Sequence, residues 1–269
     1  MIKIDNEIIN IGNFPDGAML VKYEPTVDQH FHHDASIIWK YENDREFLCL
    51  MYLVKHLRAI GVDKIYLNMP YVPNARQDRV KTSEDVFTLK YFADLLNSLN
   101  LTEICVLDPH SSVTEALIDN LLVDTPEDYI RHAIDNLMTD TGDDFLMFYP
   151  DEGAMKRYSG MVNAPYTFGI KKRNWETGKI EGLDVAGAVE RVADKNILII
   201  DDICSRGGTF YHRAKKLKEL GAKKIYLYVT HCENTILEGE LLTSGLIEKV
   251  YTTNSIFTKE HEMIEVFEL

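Results

Sequence analysis

Short apolar runs alternate along the chain with longer segments in which apolar positions recur every three or four residues. The short runs favour buried strands, and the longer segments favour amphipathic helices. Repeated alternation of this kind predicts parallel sheets covered by helices on both faces. The predicted strands are Ala18–Tyr23, Ser36–Trp39, Lys64–Asn68, Glu103–Leu107, Phe145–Tyr149, Tyr166–Gly169, Asn196–Ile200 and Lys224–Val229. The clearest predicted helices are Asp44–Ala59, Ser83–Leu99 and Gly208–Leu220.

Residues that begin or end helices support these assignments. Thr82–Asp85 has the pattern of a capping box at the start of the second helix. Gly61 and Gly221 directly follow the first and third helices, where glycine is favoured as a C-terminal cap. The order helix, glycine, strand occurs at 57–69 and again at 217–229. The chain is therefore predicted to contain two related α/β halves, with a boundary near Leu122–Tyr129.

The composition narrows the class of protein. With 269 residues, of which 45% are hydrophobic, the chain can bury one large core or two medium ones. A net charge of -14 opposes general binding to nucleic acid or to a membrane surface, because their phosphate groups would be repelled. The cysteines form no CxxC pair, and there is neither a signal pattern nor an apolar run of about 18 residues. We therefore expect a cytoplasmic protein with no zinc site, disulfide framework or membrane-spanning segment.

The most informative stretch covers residues 196–210. Its apolar run ends in two adjacent carboxylates, Asp201 and Asp202, and a glycine-rich turn then leads into a helical pattern. The backbone N–H groups and the dipole at such a helix start suit a phosphate group, whereas the carboxylates suit sugar hydroxyls or a metal-bound ribose. Together these features predict a ribose 5-phosphate site. The plain alternative is a strand that ends in solvated acids.

Four other segments place polar residues directly after predicted strands. Within 70–79, two arginines flank Gln77 and can clamp phosphates and read the edge of a base. His110 and Asp151 each follow a strand, and Asp151 precedes a glycine turn. The three cations at 171–173 stand in an acidic protein, where they can stabilise charge on a transferred group. The segments at 70–79 and 171–173 also have a plain alternative, a solvated loop or surface run, and for His110 the alternative is a packed or capping residue.

The order of these segments resembles a known family. Residues 196–210 resemble the phosphoribosyl-pyrophosphate loop of type I phosphoribosyltransferases and of ribose-phosphate pyrophosphokinases. Residues 70–96 resemble the ATP-binding segment of the pyrophosphokinases, which phosphoribosyltransferases acting on bases lack. The resemblance implies an α/β fold of two tandem phosphoribosyltransferase-like domains, 1–124 and 125–269, each a mostly parallel sheet flanked by helices. The last residues are expected to pack back on the first domain, after a closing strand at Val250–Ile256.

The resemblance also implies a reaction, in which the diphosphoryl group of ATP moves to the anomeric hydroxyl of ribose 5-phosphate and AMP leaves. It implies Mg²⁺ as the metal ion, although an oxygen-rich site separates Mg²⁺ and Mn²⁺ poorly. It further implies a homo-oligomer of at least two subunits, because the family shares its adenine site between neighbours. The implied residues are Lys171 and Arg173 for catalysis; Arg76, Gln77, Asp78, Phe14, Asp16 and His110 for ATP; Asp201, Asp202, Ser205, Arg206, Gly207, Gly208 and Thr209 for the ribose phosphate; and His110 and Asp151 for the metal ion.

The chain departs from the family pattern at several positions. Pro109 stands where the family usually has Leu, and Glu152 and Ala154 interrupt its pyrophosphate loop. The phosphate loop reads Cys-Ser-Arg-Gly-Gly-Thr where typical members have Asp-Thr-Ala-Gly-Thr, which adds Arg206 beside the 5-phosphate. This arginine either tightens phosphate binding or accommodates a longer group. ADP-ribose is therefore an alternative acceptor, by analogy with relatives that act on it.

Two alternatives from other classes stay open. A phosphoribosyltransferase acting on a base is opposed by the segment at 70–79. A non-catalytic paralogue is opposed by the presence of Lys171, Arg173 and His110. A metal site at His30 and His32 is not predicted, since no further ligand follows with suitable spacing.

Overall fold

The computed structural model divides the chain into two compact units, Met1–Thr125 and Pro126–Leu269. We call them the N-terminal and the C-terminal unit. His30 and His32 lie outside the described residues, so the structure does not address them. No helix in the described part of the chain is both long enough and apolar enough to cross a membrane. The described residues are 1–5, 7–25, 33–142, 144–173, 180–186 and 192–269, without the side chains of 171–173 and 180–186.

The N-terminal unit contains a six-stranded sheet and a separate hairpin. Its strands are β1 (Ile2–Ile4), β2 (Glu7–Ile8), β3 (Ile11–Asn13), β4 (Met19–Val21), β5 (Asp34–Trp39), β6 (Lys64–Asn68), β7 (Glu103–Leu107) and β8 (Leu121–Asp124). Its helices are α1 (Asp44–Ala59), α2 (Thr88–Asn97) and α3 (Val113–Leu117).

The sheet of the N-terminal unit has the order β2-β1-β5-β6-β7-β8, and β5 to β8 run parallel. β1 pairs antiparallel with β5 and β2, while β3 and β4 form the hairpin. Apolar residues at helical spacing attach the helices to the core: α1 buries Leu50, Leu53 and Leu57, and α2 buries Phe92 and Leu96. The parallel strands direct their carboxyl ends toward one edge, where the polar segments follow.

The C-terminal unit contains a seven-stranded sheet. Its strands are β9 (Phe145–Tyr149), β10 (Tyr166–Arg173), β11 (Ile180–Ala186), β12 (Asn196–Cys204), β13 (Ile225–Cys232), β14 (Lys249–Thr253) and β15 (Ile264–Phe267). Its helices are α4 (Glu127–Thr141), α5 (Glu152–Tyr158) and α6 (Gly208–Glu219), followed by a 3-10 helix at Asn234–Glu238.

The strand order of the C-terminal unit is β11-β10-β9-β12-β13-β14-β15, parallel except for the β10–β11 pair. Every residue of β13 is buried, as expected for a central strand with both faces covered. β9 and β12 lie side by side, so the residues that follow them meet at the same edge of the sheet. This edge holds the phosphate loop and Asp151.

The alternating pattern of strands and helices is confirmed, and several elements have the predicted limits. The strands at Lys64–Asn68, Glu103–Leu107 and Phe145–Tyr149 match, as does the helix at Asp44–Ala59. Gly61 has a φ of 95°, in the left-handed region expected of a glycine cap.

The largest differences between predicted and observed limits, of four or five residues, occur at three elements. β12 continues four residues beyond the predicted Ile200 to Cys204, since Ile203 and Cys204 remain paired with β13. β10 runs to Arg173 because β11 pairs with it, so the basic segment begins in a strand. The second helix begins at Thr88 rather than Ser83, and the predicted capping box is instead a turn in which the Asp85 carboxylate accepts the N–H of Thr82.

Candidate active site

The carboxyl end of β12 places Asp201 and Asp202 within the strand rather than after it. Although adjacent residues of a regular strand point to opposite faces, the side chains of Asp201 and Asp202 interact with each other. Asp202 is buried, and its carboxylate lies 3.8 Å from an Nη atom of Arg157 on α5. The backbone N–H of Asp202 donates to Oδ1 of Asp201 over 3.1 Å.

The surroundings of Asp201 disfavour the ionised form of its carboxyl group. Burial first, and then the carboxylates of Asp202 and Asp151, raise the pKa of Asp201 well above its ordinary value of 3.8. A nearby cation is Arg213 of α6, which is 3% exposed and whose Nε has no hydrogen-bond partner among the described residues. Hydroxyl donors or a metal ion arriving at this edge would stabilise the ionised carboxylate.

The phosphate loop, residues 205–209, joins β12 to α6. Gly207 is the N-terminal cap of α6 and has a φ of 78°, which favours glycine. A Cβ at this position would also lie only 2.9 Å from the side chain of Leu241. Gly208 and Thr209 are exposed at the helix start, where backbone N–H groups are available to an anion.

Two side chains of the phosphate loop are engaged by acids from the segment after β13. Ser205 donates its hydroxyl proton to Glu233 over 2.7 Å. The Arg206 guanidinium donates to the Glu238 carboxylate over 2.9 Å, in a pair that is largely exposed. Ser205 and Arg206 were predicted to bind phosphate, whereas neither acid was among the predicted site residues.

Asp151 begins α5 and caps it. Its carboxylate accepts the backbone N–H groups of Gly153 and Ala154 over 3.0 and 3.2 Å. Glu152, which interrupts the family's pyrophosphate loop, lies on the exposed face of α5 and pairs with Lys156 at 2.7 Å. The extra acid is therefore accompanied by a cation of its own helix.

Gly169 on β10 is required by close packing. A Cβ there would lie 2.5 Å from Nη1 of Arg213 and 2.6 Å from the carbonyl oxygen of Pro150. The buried arginine thus lies against the backbone that carries Asp151. Lys171 and Arg173 follow on the same strand, but their side chains lie outside the part of the chain that the structure describes.

In the N-terminal unit, the segment after β6 exposes Arg76 and Gln77 and buries Asp78. The amide oxygen of Gln77 accepts the Thr88 hydroxyl over 2.8 Å, which ties the segment to the start of α2. Asp78 accepts a two-pronged interaction from Arg79, with both distances 2.7 Å, and the hydroxyl of Ser111 at 2.7 Å. The Asp78 carboxylate is thus used to hold its own unit together.

These contacts change the acidity of Asp78. The hydrogen bond from Arg79 is the largest influence, followed among the favourable ones by that from Ser111, and together they hold the pKa of Asp78 well below its ordinary range. The effect of burial acts in the opposite direction and is outweighed. Asp78 is consequently a firmly ionised group with its partners already supplied.

The remaining predicted residues of the N-terminal unit are exposed. His110 lies in the turn after β7, which also contains the buried Asp108 with a φ of 43°. Phe14, 49% exposed, and Asp16 form the tip of the β3–β4 hairpin. The Asp16 carboxylate accepts the N–H of Ala18 over 2.9 Å and closes the tip.

The donor groups near Asp151 and Asp201 suit a hard cation. Carboxylate oxygens are the ligands that Mg²⁺ prefers, and the carboxylates of Asp151, Asp201 and Asp202 lie near one another at this edge. In the described ranges, no three His, Cys, Asp or Glu side chains already converge as a preformed metal cluster. His110 and Asp151 remain predicted ligands, and they belong to different units.

Glu233 and Arg213 lie at this edge but were not among the residues predicted from the sequence. Glu233 is a polar residue directly after an apolar strand, and the same pattern identified the other polar segments. Arg213 shares its face of α6 with the buried Phe210, Ala214 and Leu217, and a charge on an apolar face indicates an internal role. By contrast, Cys204 is no candidate nucleophile, because a hydrogen bond to Cys232 and then burial raise the pKa of its thiol.

Comparison with known protein families gives matches in both units. A model of the N-terminal domain of ribose phosphate pyrophosphokinase matches residues 1–99. A model of the phosphoribosyl synthetase-associated domain matches residues 180–266. The two matches include the segment at 70–79 and the whole phosphate loop.

Individual relatives extend the similarity over nearly the full chain. Ribose-phosphate pyrophosphokinase from Mycoplasma pneumoniae is 28% identical, over 95% of this chain and 78% of the relative. The enzyme of the same name from Thermococcus kodakarensis is 28% identical, over 93% of this chain and 86% of the relative. The crystal structure of phosphoribosylpyrophosphate synthetase from Mycobacterium smegmatis has a TM-score of 0.79 with 20% identity, over 97% of this chain and 86% of that one, and it supports the fold.

Proposed function

Because the chain belongs to the ribose-phosphate pyrophosphokinase family of transferases, we propose that it transfers the diphosphoryl group of ATP to the anomeric hydroxyl of ribose 5-phosphate. The products are phosphoribosyl diphosphate and AMP. The observation that best supports this proposal is the edge of the C-terminal unit, where the half-buried carboxylate of Asp201, whose pKa is raised, lies shortly before a phosphate loop.

The ribose phosphate binds in the C-terminal unit. Asp201 and Asp202 accept hydrogen bonds from the ribose hydroxyls. The backbone N–H groups of Gly207, Gly208 and Thr209 donate to the 5-phosphate at the start of α6. In this assignment, the sugar hydroxyls supply Asp201 with donors in addition to the backbone N–H of Asp202.

ATP binds to the N-terminal unit. Arg76 supplies positive charge for the phosphates, and Gln77 is held by Thr88 in a fixed position from which its amide can read a base. Asp78 keeps this segment and the turn containing His110 in place through Ser111. We assign Phe14 and Asp16, at the hairpin tip, to the adenine of a neighbouring subunit, which requires a homo-oligomer.

The chemical step is an in-line displacement at the β-phosphorus of ATP. The anomeric oxygen forms a bond to the β-phosphorus, the bond from that phosphorus to the α-phosphate oxygen breaks, and the hydroxyl proton is released. Lys171 and Arg173 stabilise the charge that builds on the diphosphoryl group. Mg²⁺, held by Asp151 and His110, would neutralise phosphate charge when bound.

A second acceptor is favoured by one observation. Arg206 and Glu238 form an exposed pair at the phosphate loop, where a group attached to the 5-phosphate would lie. ADP-ribose carries such a group, and the same step on it would give ADP-ribose 1-diphosphate.

The test is the release of AMP from ATP and Mg²⁺ with either acceptor. We expect release with ribose 5-phosphate. Release with ADP-ribose alone would assign the second acceptor, and release with neither would overturn the proposal.

A matched pair of variants tests the chemical step. Lys171→Ala should lower kcat by about 100-fold or more, the cost typical of one transition-state contact, without a change in Tm. Lys172→Ala makes the same change in charge at the next residue and should retain most of the activity. Equal rates for Lys171→Ala and the wild type would rule out the assigned role.

A further inference from the structure

We infer that Arg213 is a positioning residue, whose buried guanidinium holds the strand that carries Lys171 and Arg173 in a fixed place relative to the phosphate loop. The inference rests on the proposed function and concerns the geometry of its chemical step. It starts from the position of Arg213 on α6, the helix that begins at the phosphate loop.

Arg213 is an unusual residue for its place in the fold. It lies on the apolar face of α6 with Phe210, Ala214 and Leu217, and it is 3% exposed. Arginine is almost never fully buried unless it is paired, because removal of its charge from water is costly. Its Nε atom nevertheless has no hydrogen-bond partner in the ranges that the structure describes. The cost of this burial indicates that the guanidinium has a role at the position where it lies.

The guanidinium reaches from α6 to the backbone of two other strands. Gly169 of β10 is buried, and a Cβ at this position would lie 2.5 Å from Nη1 of Arg213 and 2.6 Å from the carbonyl oxygen of Pro150. These distances leave no room for a side chain, so the arginine and the Pro150 carbonyl both lie against the Gly169 backbone. Pro150 directly follows β9. Arg213 therefore connects the helix that follows the phosphate loop with β10 and with the end of β9.

Gly169 is the point at which β10 leaves the sheet. β10 pairs with β9 from Tyr166 to Phe168, whereas its pairing with β11 runs from Phe168 to Arg173. From Gly169 onward, β11 is the only partner strand of β10 in the described part of the chain, so the two strands form a ribbon. Lys171 and Arg173 belong to this ribbon. A contact at Gly169 consequently acts at the base of the ribbon and sets the direction in which it extends.

Nearby charges favour the observed place of the guanidinium. Burial lowers the pKa of Arg213, and the carboxylates of Asp151 and Asp201 act in the opposite direction. Asp151 caps α5 directly after Pro150, and Asp201 lies in β12 shortly before the phosphate loop. The attraction of these two acids offsets part of the cost of burying the arginine.

This arrangement matters for the reaction because an in-line displacement depends on position. The cations that stabilise the transferred group must lie against it while the acceptor stays in the phosphate loop. A displacement of about 1 Å can lower the rate of such a step about 100-fold. The acceptor itself is held by β12 and the loop rather than by the ribbon. Loss of Arg213 should therefore lower kcat and change the binding of the acceptor little.

The first experiment compares AMP release by the wild type and by Arg213→Met, on the full chain, with ATP, Mg²⁺ and the acceptor that the wild type uses. Methionine removes the charge and the planar group. We expect kcat to fall about 10- to 100-fold, with KM for the acceptor within about threefold. A kcat within about twofold of the wild type in a folded variant, or a rise in KM instead of the fall in kcat, would overturn the inference. If the wild type releases no AMP with either acceptor, the proposed function is rejected, and the inference with it.

A double-mutant cycle with Lys171→Ala tests whether Arg213 acts through the ribbon. If Arg213 only stabilised the fold, its loss would lower the rate by the same factor with or without Lys171. A residue that positions Lys171 has little effect once Lys171 is removed, because groups that act as a unit are not additive. We expect Arg213→Met to lower the kcat of Lys171→Ala by about threefold or less. A further fall as large as that seen in the wild type would overturn the inference.

Gly169→Ala displaces the guanidinium without removing its charge, since the new Cβ would overlap Nη1 of Arg213. It should reproduce the fall in kcat, and it decides the question if Arg213→Met does not fold: a kcat within about twofold of the wild type would overturn the inference. Lys215→Met is the matched control, because Lys215 is an exposed cation of the same helix. It should leave kcat and KM within about twofold, as expected for an exposed charge that is screened by solvent.

Discussion

Asp78, in the segment after β6 of the N-terminal unit, and Asp201, in β12 of the C-terminal unit, are both largely enclosed carboxylates, yet their surroundings are opposite. Asp78 receives three hydrogen bonds, two from Arg79 and one from Ser111, and its pKa is lowered. Asp201 has two carboxylates among its close neighbours, and its pKa is raised by burial and by them. The protein supplies Asp78 with a cation and a hydroxyl donor, whereas it surrounds Asp201 with further carboxylates.

The difference separates residues that build the fold from residues kept for a ligand. A carboxylate whose partners are supplied by the chain stabilises the loops that it joins. A buried carboxylate with a raised pKa lowers the stability of the unliganded protein, and such groups are concentrated at functional sites. The same contrast applies to the cations, since Arg79 is paired, whereas the Nε of the buried Arg213 lacks a partner within the described residues.

The largest effect is expected at Asp201. Asp201→Asn keeps the shape of the side chain but removes the charged acceptor for the ribose hydroxyls, and it should lower kcat/KM for the acceptor about 100-fold. The same change should raise the free energy of unfolding by about 1 kcal/mol near pH 8, because a buried charge is removed. Kinetics and urea unfolding measure the two effects.

The opposite signs of these two effects are the informative part. If Asp201→Asn lowered stability as well as activity, Asp201 would belong with Asp78 as a structural acid. Unaltered affinity for the sugar phosphate in Asp201→Ala would remove the ribose-site assignment altogether.

An intermediate effect is expected at Asp78. Asp78→Asn weakens the buried hydrogen bond from Ser111 and the interaction with Arg79, and it should lower the free energy of unfolding by about 2 kcal/mol. Most of the loss comes from Ser111, since Arg79 is 62% exposed and well solvated. Glu84→Gln, an exposed acid of the following turn, is the control and should change stability little.

The smallest effect is the pH dependence of the two stability differences, that between Asp201→Asn and the wild type and that between Asp78→Asn and the wild type. The folded-state pKa of Asp201 lies above the ordinary value of 3.8, so the stability difference between Asp201→Asn and the wild type should be small at and below about pH 4, grow as pH rises from 3.8 to the raised pKa, and stay constant above it. The folded-state pKa of Asp78 lies below 3.8, so the loss in Asp78→Asn should be full at neutral pH and shrink only below pH 3.8. The free energy of unfolding of each variant minus that of the wild type should therefore increase with pH for Asp201→Asn and decrease with pH for Asp78→Asn. Urea unfolding across this range measures both quantities, and a change of the same sign in both would contradict the comparison.

Much of the fold could be predicted because local pattern and tertiary structure agree. Lys64–Asn68 and Phe145–Tyr149 are short apolar runs bounded by polar or turn residues, and α1 ends where Gly61 permits it. β1 and the edge strand β15 were not predicted, and β1 pairs with a strand about 30 residues away in the chain. β12 extends through two acids because its pairing with β13 outweighs the low strand propensity of aspartate.

The candidate site could be predicted in outline but not in its contacts. The order of strand, acid and glycine identified Asp201, Gly207 and Asp151 because each residue type has a requirement that the sequence displays. Sequence spacing could not show that Glu233 engages Ser205, as the two residues are 28 positions apart and meet only through the pairing of β12 with β13. Nor could sequence spacing show that the Asp78 carboxylate already accepts hydrogen bonds from Arg79 and Ser111.

The glycines that join the phosphate loop to its wall have a consequence for engineering and for evolution. A Cβ at Gly239 would overlap the backbone of Arg206, and one at Gly207 would press on Leu241, so the loop and the segment after β13 fit together as one piece. Grafting the five-residue loop of another family member into this chain would therefore leave the new loop against a foreign surface. A functional exchange of acceptor preference requires both segments to be transplanted together, and in natural descent they are expected to change together.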